Sequence, residues 1–253
     1  MSKLLPRLQA KWDALGDDVH RILFNQMKSM SLPFWWHGPS PDDPEIYNNG
    51  TLCLVDTGKR VVGVTAWHVW ESYRKRLEIG EPFVSQFGGL TIQPEDLRID
   101  HDKGLELATF DLANAIGQMA GFVPHRLDSW PPDRPEVDDL MLYGGFPGDM
   151  RRMDLVQATF SLDTVTGLVS QVTSQNIVIE VDYSRLHDAD GPKGNVVATD
   201  PAGSSGGPVY RIRDMPLGHR LELAGFIYEQ AKEHRFMLAR PADFVLADGT
   251  LRR

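Results

Sequence analysis

The chain of 253 residues holds one cysteine, Cys53. No internal disulfide can form, which points to a reducing compartment rather than to a stapled secreted domain. No apolar run approaches the ~20 residues that a membrane-spanning helix needs. Residues 1–18, MSKLLPRLQAKWDALGDD, lack the continuous apolar core of a secretion signal. A cytoplasmic protein without a membrane partner is the expectation. Positive charge is scarce as well: 26 Lys and Arg face 35 Asp and Glu, for a formal net charge of −9. That balance disfavours nucleic acid, whose phosphates call for a basic face. No Cys/His cluster has zinc spacing and no phosphate-binding loop signature is present, so no cofactor is expected. Asp188-Ala189-Asp190-Gly191 opens like a calcium loop, lacks the later ligands, and reads as a turn. No repeat of fixed period occurs.

What is present is a short helical segment followed by a long β pattern. Val19, Ile22, Leu23, Met27 and Met30 recur at helical spacing behind Asp17, a candidate N-cap. Gly16 separates this helix from a shorter one over residues 8–15. The apolar stripe either docks on the body of the protein or binds a regulatory protein partner. Residues 31–49, rich in Pro, Asp and aromatics, read as an extended connector. From Gly50 the pattern turns to β. GTLCLVDTG and KRVVGVTAWHV flank a hairpin signal at residues 56–59. Residues 71–80 read as a short helix or loop. Further strands are expected at FVSQF, LTIQ, LELATFDL, DLMLYGG, LVQATFSL, LVSQVTS, NIVIEVD, GPVYRI, LELAGFIYE and FMLARP. Many short strands with turn signals predict a sandwich or a pair of barrels. The proline-rich stretch 124–137 reads as the crossover between two halves.

Three motifs carry chemistry. Gly203-Ser204-Ser205-Gly206-Gly207-Pro208 places a serine on a glycine-rich turn whose backbone N–H groups can point at a carbonyl. Thr65-Ala66-Trp67-His68 places a histidine just after a strand. Leu105-Glu106-Leu107-Ala108 offers an acid between them. A serine hydroxyl is a weak nucleophile until a base takes its proton. Neutral imidazole near pH 7 can take that proton and return it. An acid on the other ring nitrogen fixes the tautomer. Each residue also has a plain reading: Ser205 in a flexible Gly/Ser turn, His68 as a partly buried histidine at a strand end. Asp102 and Asp111 compete with Glu106 for the acid's place. Cys53, in an apolar strand, reads as core.

From about Gly50 to Val245 these residues resemble the chymotrypsin-fold serine peptidases, especially the disulfide-poor bacterial trypsin-like and HtrA-like branch. GTLCLVDTG and VVGVTAWHV look like that family's first hairpin and histidine, and LELATFDL like its acid segment. YGGFPG resembles a segment early in its second barrel. DPAGSSGGPVY resembles its nucleophile turn, and LAGFIYE with FMLARPADFV its last strands. Base, acid, nucleophile is the family's chain order. The resemblance implies an all-β fold of two antiparallel six-stranded β-barrels with the active site between them. The N-terminal helical extension and connector (1–44) then precede a peptidase domain (45–253), with barrels at about 45–120 and 136–245.

The resemblance further implies a serine endopeptidase acting on protein or peptide substrates through His68, Glu106 and Ser205. Gly203 and Ser205 would donate backbone N–H groups to the oxyanion, Gly203 at a positive φ. Thr199, Asp200, Pro201 and Ala202 would form one wall of the primary pocket; Tyr228, Glu229 and Gln230 would form the other. Asp200 and Glu229 would make it acidic and favour cleavage after Arg or Lys, unless both carboxylates face solvent. A substrate would add as a strand along residues 228–230. Three departures stand out. Glu106 occupies a position that is usually Asp. Ser204 stands where zymogen-type members carry Asp, which removes activation by a newly cut N-terminus. The helical segment lies outside the family core. Two alternatives follow: an effector protease held inactive until a partner or signal orders its site, as in stress or phage defence, or a peptide-binding module that does not cut.

Overall fold

Helix α1 (Leu4–Asp13) and helix α2 (Asp17–Ser29) are joined through Gly16, whose φ of 79° suits glycine. A computed structural model describes residues 4–38, 46–153, 158–181, 187–188, 202–216, 218–231 and 235–253. The N-cap of α2 is Gly16 rather than Asp17, and no side chain caps it. Asp17 and Asp18 instead fall in the first turn, where their charge complements the helix dipole. Leu23 and Met27 on α2 and Leu8 and Trp12 on α1 are buried in the main core. The stripe therefore docks on the body of the protein. Ile22 is the exception: it is 53% exposed and lies outside the docked stripe.

Residues 31–38, read as connector, form β1 (Ser31–Gly38), hydrogen-bonded on both sides within a sheet. That sheet continues with β2 (Ile46–Asp56) and β3 (Val61–Ala66). Then come α3 (Trp67–Glu78), β4 (Val84–Phe87), β5 (Leu90–Thr91) and the single-turn α4 (Pro94–Leu97). β6 (Arg98–Asp102), β7 (Leu107–Asp111) and β8 (His125–Arg126) complete it. The sheet has eight strands in the order β5-β4-β1-β2-β3-β7-β6, and β8 adds to β2 in parallel.

The second half contributes β9 (Leu140–Gly145), β10 (Arg151–Met153), β11 (Ala158–Phe160), β12 (Asp163–Val172) and β13 (Ile177–Val181). β14 (His187–Asp188), β15 (Pro208–Met215), β16 (Gly218–Ala231) and β17 (Phe236–Pro241) follow. β10 and β11 form a separate hairpin. Six strands close on themselves, because β12 pairs with both β9 and β13 and the ring runs β9-β12-β13-β17-β16-β15.

The fold is mostly β with one closed six-strand barrel. A second closed barrel is not shown: among the described residues the end strands β5 and β6 of the first sheet are not paired with each other. Phe34, Phe87 and Phe110 crowd this sheet with centroids 4.9–6.1 Å apart. Trp70 and Tyr73 from α3 pack onto them, at 5.4 Å from Phe110 and 5.6 Å from Phe34. The barrel cluster places one ring, Tyr143, among smaller side chains such as Met141, Val165, Val169, Ile179, Val209 and Ala239. A third cluster forms the seam. Cys53, Val55 and Val64 of the sheet meet Leu142, Tyr210 and Phe226 of the barrel, with α1 and α2 packed on both. Burial pushes the Cys53 thiol up to about 12, against a partial lowering by the Tyr210 hydroxyl. Among the described residues no helix is long and apolar enough to cross a membrane.

Candidate active site

β3 ends at Ala66, and His68 is the second residue of the helix that follows. β7 lies beside β3, with Ala66 opposite Leu107, and the Trp67 N–H extends the ladder by donating to the Glu106 carbonyl at 3.0 Å. Glu106 is thus the last residue of the turn before β7, not part of the strand. This pairing brings the two side chains together: His68 Nδ1 lies 3.0 Å from Glu106 Oε2. An ionised carboxylate can only accept, so Nδ1 donates and Nε2 keeps a lone pair for a proton. The Glu106 backbone sits at φ 56°, a left-handed conformation that costs a non-glycine residue roughly 1–2 kcal/mol. The His68 side chain is 45% exposed, and a hydrogen bond there returns only about 0.5–1.5 kcal/mol. The two magnitudes are similar, and such left-handed non-glycine positions are concentrated at functional sites.

The competing acids are committed elsewhere. Asp102 Oδ1 accepts the Leu105 N–H at 2.9 Å, and its Oδ2 faces Arg253 Nε at 3.3 Å. Asp111 accepts Arg60 Nη1 at 2.9 Å and the Ala113 N–H at 3.0 Å.

The glycine-rich turn is pinned by both halves. The Gly206 N–H donates to the Ile227 carbonyl at 2.7 Å, and the Gly207 N–H to the Ser204 carbonyl at 2.9 Å. From the sheet, the Thr51 N–H donates to the Ser205 carbonyl at 2.9 Å, and Thr51 Oγ1 donates to the Gly203 carbonyl at 2.9 Å. The same hydroxyl accepts the Phe146 N–H at 2.9 Å. A Cβ on Gly206 would stand 2.2 Å from the Thr51 carbonyl and 2.8 Å from Ala66 N, so only glycine lets the turn approach the strand that leads to His68. Gly203 has φ 103°, and a Cβ there would meet Asn49 Nδ2 and the Phe146 carbonyl at 2.6 Å. No acceptor among the described residues takes the N–H of Gly203 or Ser205, so both are left able to donate to a bound group. No hydrogen bond joins the Ser205 hydroxyl to His68 among the described residues.

Of the expected pocket residues, Thr199, Asp200 and Pro201 lie outside the described residues, as does most of the turn at 188–191. The Ala202 carbonyl accepts the Gly148 N–H at 2.8 Å. Tyr228 sits at a bulge between Ile227 and Glu229, half-buried, its hydroxyl donating to Asn176 Oδ1 at 3.0 Å. Glu229 is exposed. β16 pairs with β17 over residues 229–231, while its pairing with β15 ends at Phe226. One edge of residues 228–231 is therefore unpaired among the described residues.

No protein-family model matches the chain, and no curated protein sequence matches it.

Two residues at the site escape a motif reading. Thr51 is fully buried and bonds to Gly203, Ser205 and Phe146 at and beside the glycine-rich turn. Arg240 is 5% exposed beneath Tyr228 and Phe244, its guanidinium carbon 5.0 and 5.7 Å from their ring centroids. Each is a polar residue at an inward position of an apolar run, TLCLV and FMLARP, and that is the only signal the sequence carries for it.

Proposed function

We infer that the protein is a serine endopeptidase whose triad is His68, Glu106 and Ser205. The observation that carries this reading is the 3.0 Å bond from His68 Nδ1 to Glu106 Oε2, beside a nucleophile turn with unspent backbone donors. A substrate pairs as an extended strand along the free edge at residues 228–230. His68 Nε2 removes the proton from Ser205 Oγ as that oxygen attacks the carbonyl carbon. The Gly203 and Ser205 N–H groups hold the oxyanion, and Glu106 stabilises the imidazolium in place. His68 then gives its proton to the leaving amine. Water, activated by the same histidine, releases the acyl group. The preference for Arg or Lys before the scissile bond depends on Asp200 and on Glu229, and equal hydrolysis of Arg-, Leu- and Phe-ended peptides discards it.

One observation favours a second reading, a protease that rests switched off until a partner orders it: Ser205 and His68 are not hydrogen-bonded to each other. Catalytic bonds often tighten only on substrate binding, so the first reading stands ahead. A fluorophosphonate probe separates the two. Labelling of the wild type, with none of Ser205→Ala or His68→Ala, supports an assembled peptidase. No labelling of any form supports a switched-off protease or a peptide-binding module.

A further inference from the structure

We propose that Arg240 is a positioning residue that sets the backbone conformation of the triad acid and links it to the wall of the substrate pocket. This rests on the reading of Glu106 as that acid. The Leu105 carbonyl and the Glu106 N–H belong to one peptide plane, so whatever holds that carbonyl fixes φ at Glu106. Arg240 Nε donates to the Leu105 carbonyl at 2.7 Å, and Nη2 donates to the Gly104 carbonyl at 3.3 Å. The plane is held from its other side by the Glu106 N–H on the Lys103 carbonyl at 3.3 Å. Released from the guanidinium, the plane keeps only that long bond and can turn toward an ordinary negative φ, and the carboxylate leaves His68 with it.

The other end of the guanidinium reaches the barrel. Nη1 donates to the Gln175 carbonyl at 2.5 Å, to Gln175 Oε1 at 3.2 Å and to Asn176 Oδ1 at 3.1 Å. Asn176 Oδ1 also accepts the Tyr228 hydroxyl. One side chain therefore joins the turn carrying the acid, the β12–β13 turn and the pocket tyrosine. A structural arginine this deeply buried would be expected to face a carboxylate. All of the hydrogen-bond acceptors of Arg240 are neutral, and none is a carboxylate. Burial lowers its affinity for its proton, and Tyr228, then Glu106 and Asp102, restore part of it.

The test uses the full chain and two readouts. The first is the low-field proton resonance of His68 Nδ1–H, which reports the bond to Glu106 whether or not the protein is a peptidase. The second is the rate of Ser205 labelling by a fluorophosphonate. In Arg240→Gln the resonance is expected to vanish as it does in Glu106→Gln, and labelling to slow on the order of 10²-fold, the scale of a misplacement of about 1 Å. An unshifted resonance in folded Arg240→Gln overturns the proposal. Should that variant fail to fold, Asn176→Ala decides from the surface turn: a weakened resonance supports the proposal, and a wild-type one overturns it. A wild type that shows the resonance but takes no label leaves the role of Arg240 testable while the peptidase reading fails.

Discussion

The first sheet is packed mostly with rings, Phe34, Trp36, Trp70, Tyr73, Phe87 and Phe110, whereas the barrel cluster places one ring, Tyr143, among Met141, Val165, Val169, Ile177, Ile179 and Ala239. α3, packed beside β3 and β7, gives Trp70 and Tyr73 to the aromatic cluster and also carries His68. Glu106 enters from the same half, at the turn before β7. The glycine-rich turn with Ser205 precedes β15 of the barrel, and Thr51 of the sheet helps to pin it. The comparison teaches that the residues proposed as base and acid come from one half and the proposed nucleophile from the other.

The sharpest way to break that division is at the acid. Glu106→Gln keeps the shape and removes the charge that fixes the tautomer, and turnover is expected to fall on the order of 10⁴-fold. A loss below tenfold in a steady-state assay would place the acid elsewhere. Packing gives the next largest contrast. Phe110→Ala, at a fully buried ring of the first sheet, is expected to cost about 3–5 kcal/mol, and Ile179→Val in the barrel about 0.5–1.5 kcal/mol. Denaturant titrations measure both; because Phe→Ala removes far more atoms than Ile→Val, equal costs would mean that the ring cluster collapses around the lost ring and the barrel does not adapt.

The seam responds to acid. His125 is 8% exposed, beside Tyr210 and Met30. Burial lowers its pKa to about 4, helped by Arg220 and opposed by Glu222. A depressed folded-state value means that its stabilising contribution is complete above the unfolded value of about 6.5 and is lost as pH falls toward 4. The loss is on the order of 3 kcal/mol from a shift of 6.5 to about 4. Unfolding free energies measured across that window should slope in the wild type and flatten in His125→Leu; parallel slopes would clear His125 of the effect. A further effect is expected at Thr51. Thr51→Val removes the hydroxyl that bonds to Gly203 and Phe146, at about 1–3 kcal/mol, and slows probe labelling of Ser205. Thr51→Ser should restore both, and a slow serine variant would mean that packing rather than the hydroxyl matters.

Much of this was legible in the sequence, for stated reasons. The period-2 run NIVIEVD announces a strand because alternate residues face the core, and the stripe Leu23, Met27, Met30 announces a docked helix. Gly203 and Gly206 mark a turn that no other residue can make. Other features were not legible. SLPFWWHG reads as linker because Pro33 and an unbroken apolar run hide any alternation, yet both of its edges are paired. The packing of Trp70 on Phe110 and of Tyr73 on Phe34 joins residues far apart in the chain, which no local pattern announces. Arg240 and Thr51 act through partners in distant segments, and spacing carries no trace of those.

The burial of Cys53 has a practical consequence. A thiol pushed up to about 12 stays protonated and shielded while the protein is folded, so alkylating reagents pass it by. Its modification therefore acts as a clock for global opening, read by mass spectrometry from a single atom. The same silence makes the native chain a clean background on which a surface cysteine, introduced anywhere, would be the sole fast-reacting handle.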